Sequence, residues 1–285
     1  MIALPRLQNP VRTAHDLHRA AELLGAIQRL TQPPQPAYLE ISLEALPDGL
    51  STGRLPRGGR AILDLARGEL AYLPPEGRKT AFPLRGSTQA ALFEDLFGAL
   101  AASELGASLP PGADLFERVS RGIAARGGRY RPVERGRLMD ETRLSVEPEE
   151  ARGYNQLLQV IFTGIACFSA RRSELKTPLV VWPEHFDLST LLFAGLEVDE
   201  SRPHLNFGFA PYSAGMEFPY LYAYAYPLPE GFEPSGLPEG ARWTTEGWTG
   251  VWMDYSTIAS QQDAARYVDE TCAGIYRALR PALGA

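Results

Sequence analysis

The sequence predicts an α+β fold of mostly antiparallel sheets packed against helices. Apolar residues recur with helical spacing in several segments. Between those segments, short stretches alternate polar and apolar residues and are separated by glycines and prolines, as in an antiparallel meander. Two sheets, each backed by helices, satisfy both patterns, with a long apolar central helix at about 148–170 and a C-terminal helix.

The N-terminal half begins with a helix predicted over residues 13–30. Thr13 is a suitable N-cap, and the pair Pro33-Pro34 stops the helix. Residues 38–43 then alternate as a strand would. Further strands are predicted at 61–65, 69–73 and 79–84, followed by helices that begin at Ser87 and Asp114.

The C-terminal half opens on the long helix. Glu147-Pro148-Glu149-Glu150 suits a helix start, because proline fits the first turn and carboxylates favour the positive end of the helix dipole. Apolar side chains cover more than one side of this helix, so it is expected to be packed on several sides. Strands are predicted after it at 179–182, 188–193, 204–209, 220–226, 241–245 and 249–253, before a final helix that begins at Ser260.

The expected organisation is a single compact unit over 1–285, with an alternative division into sub-domains 1–126 and 144–285. The stretch 118–143 between these halves contains eight arginines interspersed with acidic residues. One interpretation is an anion-binding loop, since arginine offers a bidentate fork to phosphate or carboxylate. The other interpretation is a solvated connector with mixed charges.

Composition limits the classes of function and partner. The 285 residues carry a net charge of −6, which argues against nucleic acid as a partner, because that needs a concentrated basic surface. Neither a membrane span nor a signal peptide is expected. Cys167 and Cys272 fall on apolar helix faces and are expected to be buried and unpaired, as in a cytoplasmic protein. The oligomeric state stays open.

Familiar catalytic signatures are absent from the sequence. It contains no glycine-rich phosphate loop, no dinucleotide-binding glycine pattern, no nucleophile elbow, and neither HExxH nor CxxC. His15, His18 and Glu22 would share one helix face with a spacing that could hold a metal. That face lies opposite the apolar stripe, so it is expected to point to water, and no metal ligands are assigned.

The C-terminal strands hold the candidate site, because their alternation sorts polar side chains onto common faces. If residues 181–189 are extended, His185 and Asp187 share one face, whereas Trp182 lies on the other. Should the strands be neighbours, one sheet face would gather two imidazoles, a carboxylate, an amide and several phenols: His185, Asp187, Ser189, His204, Asn206, Tyr220, Tyr222, Tyr224 and Tyr226.

Three hypotheses follow. The first is binding of a small molecule, with the ligand-binding residues Trp182, His204, Asn206, Tyr222 and Tyr224. The second is a hydrolase-type enzyme in which His185, oriented by Asp187, acts as general base on an ester or amide, with or without a metal ion. The third is a non-catalytic interaction protein whose aromatic strands form a dimer surface. The sequence leaves the cofactor unknown.

Residues 180–255 resemble a group of uncharacterised bacterial proteins with a specific series of motifs. In this chain the motifs are Trp182-Pro183-Glu184-His185-Phe186-Asp187, Asn206-Phe207-Gly208-Phe209-Ala210-Pro211 and Pro219-Tyr220-Leu221-Tyr222, before a hairpin from Trp243 to Trp248. The group is similar to the domain of unknown function 5996 family. The resemblance therefore implies no established activity.

Two features of the resemblance bear on the site residues. The related family often lacks a histidine at the position of His185, which shifts the expected role toward Asp187, with Trp182 as a site or framework residue. Where the motif has Pro-Gly-Asp, this chain has Pro211-Tyr212-Ser213. An acidic side chain at that point is therefore not matched here, unless Glu217 replaces it.

Overall fold

A computed structural model defines the architecture of the chain. Helices and two antiparallel sheets occur together, which confirms the predicted α+β class. The structure describes residues 4–5, 7, 9–105, 108–126, 130–213 and 215–284.

The chain divides into two compact units. The first comprises 12–155 together with 182–184. The second comprises 156–181, 185–284 and the described residues before Arg12. The sub-domain limits expected from the sequence, 1–126 and 144–285, stay a prediction.

The helices of the first unit begin near the residues that the sequence indicates. Helix α1 (Pro10–Thr31), most of which belongs to this unit, begins three residues before Thr13, so the prediction of Thr13 as its N-cap is wrong. The apolar side of α1, including Leu17 and Leu24, is buried. Helix α2 (Gln89–Leu100) is capped by Thr88, one residue after the expected Ser87, with Oγ1 accepting from the Ala91 amide at 3.1 Å. Helix α3 (Leu115–Ala124) is capped by Asp114, as predicted, and the short α4 (Arg135–Leu138) follows.

The first sheet is an antiparallel meander. Its strands are hydrogen-bonded in sequence order: β1 (Glu44–Leu46), β2 (Gly49–Ser51), β3 (Arg60–Asp64), β4 (Glu69–Leu73) and β5 (Thr80–Pro83). The strand predicted at 38–43 is wrong, because Pro36–Ile41 forms a 3₁₀ helix in which Ala37 and Tyr38 have φ of 51° and 55°. Proline-rich chain before it cannot supply the amide donors of a ladder, and the Glu40 carboxylate folds back to accept from the Gln35 amide at 3.0 Å.

The arginine-rich stretch is tied to the first unit by its own side chains. Several guanidinium groups pair with carboxylates of the chain: Arg121 with Glu117, Arg135 with Asp114, and Arg137 with Glu22. Arg118 donates to the carbonyl oxygen of Pro110 at 3.3 Å. These contacts hold the stretch against the rest of the first unit, while Arg121, Arg135 and Arg137 stay exposed, so the segment presents mixed charges to solvent. Arg129 and the preceding two glycines lie outside the described residues.

The second sheet carries the six predicted C-terminal strands, each within a residue of its expected limits, and one strand that was not predicted, β6 (Leu175–Lys176). Its strands are β6, β7 (Val180–Trp182), β8 (Asp187–Phe193), β9 (His204–Ala210), β10 (Tyr220–Tyr226), β11 (Arg242–Thr244) and β12 (Gly250–Asp254). Their order is β11-β12-β10-β9-β8-β6, and β7 pairs with β8 as well. Helix α5 (Pro148–Ala170) precedes them at the predicted limits, with residues in both units.

Helices cover one face of the second sheet. Phe168 of α5 packs on Phe207 of β9 with ring centroids 4.7 Å apart. The C-terminal helix α7 (Ala264–Leu279) packs on β9 and β10 and lies so close to α5 that a Cβ on Gly164 would come within 2.6 Å of Val268 Cβ. A short helix, α6 (Tyr255–Ala259), precedes α7 and was not predicted.

Both cysteines are unpaired, as expected, but only Cys272 is buried. The prediction of a buried Cys167 is wrong, because this residue belongs to an exposed stripe of α5 with Thr163 and Ala170, beside the buried Phe168. Among the described residues, the helices are too short or too polar to span a membrane.

Candidate functional site

The register of β8, β9 and β10 places most of the predicted polar side chains on one face of the second sheet. Tyr222 lies opposite Gly208, and Gly208 lies opposite Ser189, while Tyr224 lies opposite Asn206. Side chains two residues apart in a strand point the same way. The face opposite Phe207, termed the Asp187 face, therefore carries Asp187, Ser189, His204, Asn206, Gly208, Tyr220, Tyr222, Tyr224 and Tyr226, together with the apolar Leu191, Phe193 and Ala210.

A hydrogen bond joins Tyr222 and Asp187 across this face, with the phenol donating to Oδ2 of the carboxylate. Tyr222 lies in β10 and Asp187 in β8, so the tyrosine side chain crosses the intervening strand β9. A Cβ on Gly208 would lie 2.4 Å from Cζ and 2.5 Å from the hydroxyl oxygen of Tyr222. Glycine at 208 is therefore what lets the backbone and the ring approach so closely.

Asp187 is 8% exposed and only half satisfied. Its Oδ2 accepts from Tyr222, whereas its Oδ1 is buried without a hydrogen-bond partner. Burial raises the pKa of the Asp187 carboxyl, and the Tyr222 hydrogen bond and the nearby His185 oppose that rise. Burial, together with the charge of Asp187, holds the pKa of Tyr222 well above its usual range. The phenol thus keeps its proton and acts as a donor.

Asn206 and Tyr224 form a second polar pair on the Asp187 face. The Nδ2 amide of Asn206 donates to the Tyr224 hydroxyl at 3.0 Å, while Oδ1 of Asn206 is buried without a partner. The rings of Tyr222 and Tyr224 are 8° from parallel, with centroids 6.3 Å apart. The two pairs are therefore neighbours along β10, and each leaves one buried acceptor unused.

Aromatic rings border the Asp187–Tyr222 pair. The Trp248 ring lies 6.4 Å from that of Tyr220 and 6.2 Å from that of Tyr222, measured between centroids. It packs over Gly250, where a Cβ would come within 2.2 Å of Trp248 Cζ3. The Nε1 atom of Trp248 is buried without a hydrogen-bond partner. The site thus has one buried donor without a partner, Trp248 Nε1, and two such acceptors, Oδ1 of Asp187 and Oδ1 of Asn206.

His185 lies in the turn 183–186 and is exposed. The condition that residues 181–189 are extended is not met, because β7 pairs with β8 and the chain reverses between them. Pro183 starts the turn and Phe186 ends it with φ of 54°. His185 consequently leaves the strand face that it was expected to share with Asp187, but its imidazole stays close enough to oppose the burial-driven rise in the Asp187 pKa.

His204 shares the Asp187 face but lies at its other end. It pairs with Phe193 on one side and Tyr226 on the other. Asp187 and Phe193 are the two ends of β8, so about 20 Å separates the rows of Asp187 and His204. Nδ1 of His204 donates to the Arg202 carbonyl at 2.7 Å. Burial lowers the pKa of the imidazole, and that hydrogen bond opposes the fall.

Trp182 ends β7, and residues 182–184 group with the first unit. Within that unit, Nε2 of His18 donates to the Pro183 carbonyl at 3.0 Å, and Arg29 forms an ion pair with Glu184. A role of Trp182 at the Asp187 face stays a prediction.

Metal-binding geometry is not found in the part of the chain that the structure describes, where no three or more His, Cys, Asp or Glu side chains form a suitable group. The expectation that His18 and Glu22 point to water is wrong. His18 contacts Pro183, and Glu22 accepts from Arg137 at 2.8 Å and from Gln89 at 3.3 Å. Burial raises the pKa of Glu22, and the hydrogen bonds from Arg137 and Gln89 oppose that rise.

A cavity of about 70 Å³ lies elsewhere in the second unit. It is lined by Glu174, Leu192, Phe193, Ala194, Leu205, Tyr276, Arg280 and Leu283. Small-molecule pockets commonly measure about 300–1,000 Å³. This cavity is therefore too small to be assigned to a ligand of ordinary size.

Sequence reasoning gave no role to two residues that shape the site, Gly208 and Trp248. A glycine at an inward position of a strand signals a close approach by another group, so the Asn-x-Gly pattern could have pointed to Gly208. The unused Nε1 of Trp248 has no such signal, because it depends on which side chains surround the indole in the folded chain.

One protein-family model matches a range of the chain that includes this sheet. The model of DUF5996, a family of unknown function, matches residues 136–281, a range that contains Asp187, Asn206, Tyr222 and Trp248. Neither a curated protein nor a solved structure matches the chain. Since the family model covers just over half of the 285 residues, the chain belongs to the DUF5996 family.

Proposed function

We propose that the protein binds a small molecule on the Asp187 face. The observation that carries this proposal is the buried Oδ1 of Asp187, which has no hydrogen-bond partner although Oδ2 of the same carboxylate accepts from Tyr222. Buried polar atoms in folded proteins are nearly always paired, and an unpaired one costs about 1–3 kcal/mol. A ligand that donates to Oδ1 would remove that cost.

Two further atoms support a ligand over an isolated packing defect. Asn206 Oδ1 is a second unused acceptor and Trp248 Nε1 an unused donor. The tyrosine and tryptophan rings beside them offer flat apolar surface for stacking. A few well-placed polar groups among aromatic side chains are typical of small-molecule sites.

Native mass spectrometry of gently purified protein tests the proposal. A co-purified molecule is expected on the wild type and at much lower occupancy on Asp187→Asn. Asp199→Asn, which changes an exposed acid of the β8–β9 hairpin, serves as the matched control. If the wild type carries no molecule and no compound of a metabolite library raises its melting temperature, the proposal is rejected.

The hydrolase alternative has one observation in its favour, the electrostatic effect of His185 on Asp187. An exposed imidazole near a buried carboxylate could act as general base with Asp187 as its orienting partner. Hydrolysis of p-nitrophenyl acetate that disappears in His185→Ala, with ligand binding unchanged, would favour this alternative. Turnover equal in the two proteins would reject it.

A dimer surface of aromatic strands gains less support, because Tyr220 and Tyr222 are already buried within the single chain.

A cytoplasmic location remains part of the proposal. It is supported by two unpaired cysteines, which are common in reducing compartments.

A further inference from the structure

Asp187 is a buried carboxylate. None of the ion pairs between described residues involves it. The basic group that acts on it, His185, is exposed on the neighbouring turn and makes no hydrogen bond to Oδ1. A buried charge is costly unless a counter-charge and hydrogen bonds compensate it. The chain itself supplies Tyr222 on one oxygen and leaves the other open.

Electron-rich rings surround this carboxylate. Tyr222 bonds to it, and the charge of Asp187 adds to burial in raising the pKa of both Tyr220 and Tyr224, so all three phenols lie within its electrostatic reach. Trp248 packs on Tyr220 and Tyr222. Aromatic faces attract cations, most strongly when both are removed from water. The Asp187 carboxylate and the surrounding aromatic rings therefore both favour a positively charged ligand.

We infer that the ligand of the Asp187 face is an organic cation, an ammonium group that donates an N–H to Asp187 Oδ1 and packs against the Tyr220, Tyr222 and Trp248 rings. The inference rests on the proposed function and narrows its ligand class. A neutral donor would leave the carboxylate charge uncompensated, and an anion would be repelled by it.

The hydrogen bonds that Asp187 can still accept also distinguish between classes of organic cation. Guanidinium groups bind carboxylates best through two parallel hydrogen bonds, but Oδ2 of Asp187 is held by Tyr222. A quaternary ammonium has no N–H for Oδ1. A primary, secondary or tertiary ammonium meets both conditions, since one N–H reaches the open oxygen while the remaining substituents contact the rings.

Calorimetric titration with four probes tests the inference on the wild-type protein alone. N,N-dimethylethanolamine is a tertiary ammonium, choline its quaternary relative, 3,3-dimethyl-1-butanol the neutral carbon analogue of choline, and guanidinium the bidentate cation. We expect the tertiary ammonium to bind about tenfold more tightly than the neutral analogue, from the cation–π and charge-assisted contacts together. Choline should fall between them, and guanidinium should bind more weakly than the tertiary ammonium.

Two further readouts assign the effect to the site. Asp187→Asn should abolish the preference for the cation over the neutral analogue, whereas Asp199→Asn should keep it. Affinity of the wild type should fall as acidification protonates Asp187, because the neutral carboxyl no longer attracts the ammonium.

The outcomes separate this inference from the proposed function. Equal binding of the neutral analogue, tighter binding of guanidinium, or no binding of any ammonium probe overturns the inference. A neutral or anionic molecule found on gently purified protein would overturn it as well, while the proposed function would stand. If Asp187→Asn does not fold, the four-probe order on the wild type still decides.

Discussion

Tyr222 and Asp187 are hydrogen-bonded across a strand that lies between their own strands. The bond fixes both side chains on the Asp187 face and commits one carboxylate oxygen, so that the other remains available. Gly208 makes this arrangement possible, because any side chain at that position would occupy the space of the phenol ring. Residues of three strands, β8, β9 and β10, therefore determine that Oδ1 of Asp187 has no partner.

Gly208→Ala is expected to destabilise the fold by about 1–3 kcal/mol, because the added methyl group forces the Tyr222 ring out of its place. Gly195→Ala is the control, since a Cβ at that position meets no atom within 4 Å. Urea unfolding measures both changes. In a Tyr222→Ala background the cost of Gly208→Ala should shrink but not vanish, because the ring is gone while the Leu188 carbonyl oxygen stays 2.7 Å from the added Cβ. An equal cost in the two backgrounds would contradict the proposed role of Gly208.

Asp187→Asn is expected to gain stability relative to the wild type as pH rises. The pKa of Asp187 is raised in the folded protein, chiefly by burial. The stability that this group contributes is therefore complete below the ordinary aspartate pKa of about 3.9 and is lost as pH rises through the raised value. Asparagine does not titrate, so the difference in unfolding free energy should grow in its favour from about pH 4 upward.

The control for this pH dependence is Asp199→Asn. Hydrogen bonds from Ser201 lower the pKa of Asp199, so its linkage has the opposite sign. Unfolding curves of the three proteins across a pH series provide the measurement. A difference between wild type and Asp187→Asn that stays constant with pH would mean that Asp187 is not the buried titrating group.

Strand alternation was enough to predict most of the Asp187 face. Two-residue periodicity identified the sides of β8, β9 and β10 on which Asp187, Asn206 and Tyr222 lie, and the observed register makes those sides one surface. Periodicity failed at His185, because a turn between two paired strands interrupts the extended chain that the alternation assumed. Pro183, which lies between the strands predicted at 179–182 and 188–193, is the local signal for this turn.

Other features depended on contacts that no local pattern contains. The positions of His204 and Asp187 at opposite ends of one face follow from strand register, which the sequence does not specify. Residues 38–43 alternate like a strand as well, but the preceding prolines and the hydrogen bond between the Glu40 carboxylate and the Gln35 amide favour a 3₁₀ helix over Pro36–Ile41. Here a local hydrogen bond and proline outweigh the alternation.

His204→Gln is expected to reduce the loss of stability on mild acidification. Burial lowers the pKa of His204 in the folded protein. The stability contributed by this residue is therefore present above the ordinary histidine pKa of about 6.5 and is lost as pH falls from there toward the lowered value. Glutamine does not titrate in this range. Thermal melts from pH 7.5 to about pH 5 should show the wild type losing its stability advantage over His204→Gln. If the melting temperatures of the two proteins fall in parallel, His204 is not the group that titrates. His15→Gln, at an exposed position of α1, is the control.

The two cysteines should differ sharply in reactivity toward a thiol reagent such as dithionitrobenzoate. Cys167 is exposed on α5, whereas Cys272 is buried in α7 and burial raises the pKa of its thiol well above the usual range. Because the thiolate is the reacting form and needs access to the reagent, the native protein should release one equivalent of chromophore rapidly and the second only on unfolding. Cys167→Ser should abolish the rapid phase and Cys272→Ser should leave it intact. Rapid labelling of native Cys167→Ser would show that α7 exposes Cys272, contrary to the packing of α5 on α7 at Gly164 and Val268.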